Sequence, residues 1–473
     1  MTEKPENLIP LVDLAPREVG EIDLYQKREK IYTRSMEGFF QRIRLYTGWP
    51  LLLGYFFLPW INWGDRQIVL FDLPARQFHV FGITFWPQNF NLLAWLLIIA
   101  AFGLFFITNF AGRVWCGYTC PQTVWTAIFM WLEQKAEGTR NQRIKLDKAP
   151  WSAEKILRKS AKQSLWFGFA FFTGITFVGY FYPIRDLVPE ILTAEAGFWA
   201  VAWTIFFTLA TYINAGFLRE QVCMYMCPYA RFQSAMFDRD TLIVSYDSQR
   251  GEPRGSRKRN DDYKAQQLGD CIDCQLCVQV CPTGIDIRDG LQYQCITCAL
   301  CIDACNSVMD KMSYPRGLIR YTTENELAGG KTRILRPRLI GYATMLLVMM
   351  TLFAYTLFNR MPLEIDIIRD RSSLYSMTSD NLIANSYVLK IMNMDEIAHR
   401  YQVSVEGIDG LIVDAPSHVD IASGEVFEMP LRLSVDPAQL QHSNTTVYFL
   451  VQSIDDPKIH TREDSRFIGP RGH

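Results

Sequence analysis

Histidine is nearly missing from this 473-residue chain: there are six, and His79 is the only one in the first 398 positions. A membrane haem held by paired histidines is therefore not expected. A G-x-G-x-x-G dinucleotide fingerprint is also lacking. Electrons, if the chain handles them, have to come from a partner protein, a quinol or a small reductant rather than from bound NAD(P)H. The formal net charge is only −1, which gives no hint of nucleic acid as a partner. The opening stretch, Met1 to Arg44, is polar and mixed in charge, unlike a secretory signal.

What the chain does have is cysteine, twelve in all. Eight follow the spacing C-x₂-C-x₂-C-x₃-C twice, as Cys271, Cys274, Cys277 and Cys281, then Cys295, Cys298, Cys301 and Cys305. This is the bacterial spacing for two 4Fe-4S clusters, in which the fourth cysteine of each run serves the other cluster. One cluster is expected on Cys271, Cys274, Cys277 and Cys305, the other on Cys295, Cys298, Cys301 and Cys281. Zinc knuckles fit poorly because their four ligands do not cross over, and disulfides do not repeat a 2-2-3 spacing.

Apolar runs dominate the first 217 residues and return near 338–358, a membrane pattern. Five spans are expected: Tyr46–Trp63, Asn91–Gly112, Ser164–Tyr182, Gly197–Leu218 and Leu339–Phe358. Lys and Arg number eight in residues 1–44 and ten in the loop after the second span, against two and one in the loops after the first and third. That excess places the amino end and the ferredoxin segment in the cytoplasm of a bacterial inner membrane. From Pro362 onward, short alternating runs such as Ser386–Met392, His399–Val405 and Asn444–Val451 read as period-two strands of a periplasmic immunoglobulin-like β-sandwich.

The fold class is thus a multi-domain membrane protein. Its parts are a cytoplasmic segment (1–44, with a helix around Glu21 to Arg44), a four-span membrane domain (45–237), a ferredoxin-like domain with linkers (238–337), a fifth helix (338–359) and the sandwich (360–473). Met392, Met394 and His399 in the sandwich read as core and rim rather than copper ligands. The cationic runs Arg254–Arg259 and Lys135–Lys162 read as facing anionic lipid or solvent.

The remaining cysteines fall in two copies of C-x₃-C-P: Cys116-Gly-Tyr-Thr-Cys120-Pro121 and Cys223-Met-Tyr-Met-Cys227-Pro228. Each follows a pair of spans, so the hairpin looks duplicated, related by an axis along the membrane normal. Proline suits the first position of a helix, leaving Cys120 and Cys227 as caps whose thiolates the free amides would stabilise. Four soft sulfur donors suit Cu(I), zinc or a further iron–sulfur centre, with plain packing as the alternative.

With these motifs placed, nearly the whole chain resembles the CcoG family, also called FixG or RdxA, accessory proteins of cbb₃-type cytochrome c oxidase. The carriers are the paired C-x₃-C-P motifs, the ferredoxin core from Cys281-Pro-Thr-Gly to Cys295, the following Gly317-Leu-Ile-Arg-Tyr, and the last span with its tail. The one departure from ordinary ferredoxins is Asn306 after Cys305, where proline is usual. The resemblance implies an oxidoreductase that reduces Cu(II) to Cu(I) at Cys116, Cys120, Cys223 and Cys227, with a copper chaperone or exporting ATPase and the oxidase assembly machinery as partners. Two rivals are electron transfer to a membrane or periplasmic partner, with the four cysteines holding a third cluster or contacting a quinone, and a non-enzymatic assembly scaffold.

Overall fold

The computed structural model describes residues 30–470 apart from Asp65, Asn260, Tyr263, Lys264, Arg371, Ser372, Glu396 and Gln441. Three helices among the described residues are long and apolar enough to cross a membrane: Phe90–Ala111, Phe198–Leu218 and Pro337–Phe358. The other two expected spans are helices of a different kind. Phe39–Phe57 carries Arg42 and Arg44 in its first turns and Pro50 within it. Ala153–Val178 opens with charged turns that include Lys155, Lys159 and Lys162. The helix expected around Glu21 to Arg44 begins only at Phe39, and residues 21–29 lie outside the described part.

Small residues bring the helices together. A Cβ at Gly174, in Ala153–Val178, would stand 2.5 Å from Thr208 Oγ1 and 2.9 Å from Thr204 O, so two helix backbones nearly touch there. The threonine hydroxyls satisfy themselves on their own helix, Thr208 donating to Thr204 O at 2.7 Å and Thr204 to Ala200 O at 2.8 Å. Close approach of small residues is how apolar helices associate where no hydrophobic force separates them from lipid.

The cationic run after the second span faces outward only in part, at Lys135, Lys145 and Lys148, which are exposed. Arg143, Lys155 and Lys162 are buried, and they and their neighbours enclose two carboxylates, Glu133 and Glu137, that have no exposed surface. Arg219 meets Glu133 at 2.7 Å, Arg143 meets it at 3.4 Å, and Lys159 and Lys162 each meet Glu137 at 2.9 Å. Two buried acids supply the counter-charge that lets these bases leave water. In the run Arg254–Arg259, Lys258 and Arg259 are exposed, while Arg257 donates to Gly269 O at 2.7 Å and Arg259 to Ser313 Oγ at 2.8 Å, tying the loop to the ferredoxin segment.

Between Phe39–Phe57 and Phe90–Ala111, the strands Val69–Asp72, Gln77–Val80 and Ile83–Phe85 form a three-stranded antiparallel sheet. His79 is buried in it, its Nδ1 2.9 Å from Thr84 Oγ1. The last long helix packs along Phe90–Ala111 and is held at both ends by arginine. Arg336 donates to Asp238 and to Asn109 O, and Arg360 donates to Thr84 O at 3.2 Å.

Beyond it lies the sandwich. One sheet runs Ile412–Asp414, Val426–Val435, Ile383–Asn393, Leu363–Arg369, with Ser376–Met377 also paired to Ile383–Asn393. The other runs His418–Ile421, His399–Glu406, Asn444–Ser453, His460–Ile468. Alternate residues of the two inner strands, Tyr387, Leu389 and Ile391 against Val447, Phe449 and Val451, fill the core between the sheets. Met392 is buried, and His399 Nε2 lies 2.9 Å from an Asp395 carboxylate oxygen.

Replacing Gly174 by valine should wedge two helices apart and cost about 1–3 kcal/mol, the usual cost of overpacking. The thermal midpoint of the detergent-purified protein is expected to fall, whereas Gly168→Ala, which meets nothing within 4 Å, should leave it unchanged. Equal midpoints for both variants would refute the close contact.

Candidate functional site

The ferredoxin segment folds onto a two-stranded ribbon, Ile243–Tyr246 against Ile319–Thr322. In each cysteine run, the residues flanking the second cysteine take positive φ: Asp273 (51°) and Gln275 (56°) around Cys274, Thr297 (55°) and Ala299 (60°) around Cys298. Non-glycine residues rarely adopt this conformation, and they persist in it only where the surroundings fix them. The repeated strain curls each loop around an empty space.

Two such spaces lie among the described residues. Cys271, Cys274, Cys277 and Cys305 line one, with Tyr246, Met309 and Ile319. Cys281, Cys295, Cys298 and Cys301 line the other, with Val244, Ile287 and Ile296, and Cys277 reaches its edge. The fourth cysteine of each run thus stands in the cavity of the other run, the crossover that the spacing predicts. Among the described residues no three His, Cys, Asp or Glu side chains converge on a single metal ion. Thiols ringing an apolar void fit a multi-iron cubane instead, because each iron takes its own cysteine. Burial, reinforced at Cys305 by neighbouring thiols, pushes Cys277, Cys295 and Cys305 up to about 12. Thiolates crowded this way need a bound cation to hold their charge.

The Cys305 side differs from the Cys281 side as Asn306 suggests. Pro282 follows a helix that ends at Val280, whereas Leu300–Met312 runs on past Cys305 without a turn. Asn306 uses its side chain to accept from Gly317 N–H at 3.1 Å.

Cys120 and Cys227 stand at the N-caps of Pro121–Glu137 and Pro228–Met236, with proline at the first position of each helix. The repeat extends further back than the motif. Four residues before the first cysteine of each copy, Gly112 (φ 59°) and Arg219 (φ 44°) turn the chain out of its long helix. Cys120 and Cys227 lie near enough to Cys116 to raise its proton affinity, and all three do the same to Cys223, so the two copies do meet. At Cys120 the ionisation is opposite to expectation. Burial pushes Cys116 up to about 11 and Cys223 to about 12, and it raises Cys120 even though Thr123 and Gln122 amides favour its thiolate. Loss of water outweighs the helix-end amides.

Sequence reasoning missed what joins the two sulfur groups. A Cβ on Gly117 would lie 2.7 Å from Ile296 O and 3.0 Å from Cys298 N, so the Cys116–Cys120 loop rests backbone against backbone on the second cluster cavity. Arg44 donates to Gly117 O at 3.0 Å and Thr123 to Cys116 O at 2.6 Å. Buried Arg113 donates to Tyr293 O at 2.6 Å and to Ala230 O, bridging the ferredoxin loop and the second copy. Gln233 from that copy lies 3.5 Å from Cys116 Sγ. The available signal was the asymmetry of the repeat, glycine at 117 against methionine at 224.

Gly117→Ala should push the Ile296–Cys298 turn away and lower iron and sulfide per chain by roughly half, the loss of one of two clusters. Gly103→Ala, with nothing within 4 Å, should keep full content. Undiminished iron in Gly117→Ala would show that the contact does not support the second cavity.

Residues 218–324 match a 4Fe-4S dicluster domain, residues 93–139 a 4Fe-4S binding domain, and residues 353–470 the IG-like fold at the C-terminal of FixG. The nitrogen fixation protein FixG of Rhizobium meliloti is 39% identical over 425 residues, covering 81% of this chain and 80% of that protein. Proteins RdxB and RdxA of Cereibacter sphaeroides are each 41% identical, over 84% and 82% of this chain and 86% and 84% of their own lengths. A crystal structure of a FixG-related protein from Vibrio parahaemolyticus is 27% identical over 23% of this chain and 95% of that one, with a TM-score of 0.21. The chain belongs to the FixG family, also called CcoG or RdxA, of membrane iron–sulfur proteins.

Proposed function

We propose that the chain is a membrane-anchored oxidoreductase that reduces Cu(II) to Cu(I) for assembly of a cbb₃-type cytochrome c oxidase. The observation that carries this reading is the contact of Gly117 with the Ile296–Cys298 turn, which sets Cys116 among the residues around the second cluster cavity. In this reading the amino end and ferredoxin segment face the cytoplasm and the sandwich faces the periplasm, as the Lys and Arg distribution favours.

Cys271, Cys274, Cys277 and Cys305 would hold one 4Fe-4S cluster, and Cys281, Cys295, Cys298 and Cys301 the other. When bound, these clusters supply one-electron carriers. The Thr283 hydroxyl, 3.2 Å from Cys281 Sγ, is placed to tune the second, since hydrogen bonds to ligand sulfur shift its potential. Cu(II), as substrate, gains one electron beside Cys116, Cys120, Cys223 and Cys227 and becomes Cu(I), which thiolates prefer. Their thiol protons leave as the metal binds. Burial then protects Cu(I) from water until a chaperone or exporting ATPase takes it.

A second reading has one observation in its favour: the match to a 4Fe-4S binding domain at residues 93–139 contains only Cys116 and Cys120. In that reading the four cysteines hold a third cluster and the chain passes electrons to a membrane or periplasmic partner.

Both are tested on dithionite-reduced protein given Cu(II). Replacing the four cysteines by serine should abolish most Cu(I) formation, read with a Cu(I)-specific chelator, and leave iron content unchanged. Unchanged Cu(I) yield refutes the copper site, and a loss of about a third of the iron favours the third cluster.

A further inference from the structure

Both C-x₃-C-P loops carry tyrosine at their centre, Tyr118 in the first and Tyr225 in the second. Tyr225 is 67% exposed, whereas Tyr118 keeps only 7%. The Tyr118 hydroxyl lies 3.2 Å from that of Tyr321, on the ribbon strand Ile319–Thr322 of the ferredoxin segment. Tyr321 in turn donates to Thr297 O at 2.6 Å. A phenol has one proton to give and a carbonyl oxygen only accepts, so the Tyr321 proton goes to Thr297 and Tyr118 is the donor to Tyr321. The direction of the chain is thereby fixed, from the cysteine loop toward the second cluster cavity.

Thr297 stands between two of the cysteines that line that cavity, Cys295 and Cys298. Its carbonyl oxygen and the Cys298 N–H are the two ends of one peptide unit. Burial pushes the Cys298 thiol up, and the amides of Leu300 and of Cys298 itself act against this by hydrogen-bonding the sulfur. A hydroxyl held on a peptide oxygen polarises the N–H at its other end, and a second hydroxyl behind the first strengthens the effect. A stronger donor at a ligand sulfur favours the reduced cluster, which carries one more negative charge. The other cysteine run is open at the matching place: Asp273, Cys274 and Gln275 are exposed, while their counterparts Thr297, Cys298 and Ala299 are buried.

We propose that Tyr118 and Tyr321 are positioning residues that raise the reduction potential of the second cluster from within the first C-x₃-C-P loop. This deepens the oxidoreductase reading and rests on it for the purpose of the step. One electron leaves the first cluster, which is oxidised, and enters the second, which is reduced, with no proton exchanged. A higher potential at the second cluster holds that electron on the side where Cys116 lies. The duplicated loops then divide their work, the first set against the cluster and the second left open.

The experiment uses the full chain with its clusters, in detergent and without oxygen, titrated with dithionite in the presence of redox mediators. Both clusters are followed by electron paramagnetic resonance. Tyr321→Phe should make one of the two reductions less favourable by about threefold to tenfold, tenfold being ~59 mV for one electron, and leave the other unmoved. Tyr118→Phe should shift the same cluster by less. The double variant should match Tyr321→Phe, because Tyr118 then has no hydroxyl to act through. Tyr225→Phe should shift neither cluster. Iron and sulfide per chain should stay at the wild-type level throughout, which separates tuning from a damaged cluster; if Tyr321→Phe loses iron, Tyr118→Phe decides alone. Unmoved potentials in Tyr118→Phe, an additive double variant, or an equal shift in Tyr225→Phe each overturns the proposal. Copper reduction is read on the same samples: a wild type that makes no Cu(I) while the tyrosine variants still shift one cluster counts against the copper reading and supports the tuning.

Discussion

Gly117 lies against the Ile296–Cys298 turn with no room for a side chain between them. Two modules with different solvents meet at that point, one built of apolar helices and the other of loops around apolar voids. Asp303, in the helix that carries Cys305, reinforces the contact by accepting from Phe40 and Gln41 N–H at 3.2 and 2.9 Å. The ferredoxin segment therefore supplies the cap that the helix Phe39–Phe57 lacks in its own sequence. Residues more than 250 positions apart complete one helix end, so neither module reaches its final form without the other.

The second constraint is electrostatic. Glu133 and Glu137 are buried, and bases that follow them in sequence fold back over them. Removing Glu133 would strand the buried Arg143 and Arg219, and removing Glu137 would strand Lys162, a larger cost than the pairs themselves return in stability. Arg219 is bound doubly to this arrangement, since its backbone holds a positive φ while its guanidinium pairs with Glu133 and covers the Trp166 ring at 5.3 Å. The turn before Cys223 is thus fixed by a charge located in the first half of the repeat.

Much of this was legible because its chemistry is local in sequence. The crossover of Cys281 and Cys305 follows from spacing, and the sandwich strands follow from alternation at Tyr387, Leu389 and Ile391. The helix starts at Pro121 and Pro228 follow from proline. What was not legible depends on distance in the chain. Arg113, Gln233 and Asp303 have ordinary neighbours in sequence and acquire meaning only across the interface. The thiol of Cys120 misled for the same reason: Cys-Pro announces the stabilising amides of a helix end, but nothing nearby announces the burial that outweighs them. The basic run after the second span was misread in part, because Arg143 and Lys162 are paired with Glu133 and Glu137, acids distant from them in sequence. Two of the five expected spans are not long apolar helices: Tyr46–Trp63 contains Pro50 and its α-helix stops at Phe57, and the helix through Ser164–Tyr182 stops at Val178.

The arginines at the two ends of Pro337–Phe358 have a mechanical consequence. A helix tied at one end is a tether and lets whatever it carries swivel. This one is clasped by Asp238 and Asn109 below and, through Arg360, by Thr84 above, while Gln77 donates to Gly424 O at 3.2 Å across the same junction. It behaves as a keyed shaft. The sandwich cannot turn about the membrane normal without either shearing those hydrogen bonds or twisting the strand-and-loop layer beneath it, so its bearing toward a neighbouring molecule is set by the same frame that positions the sulfur sites.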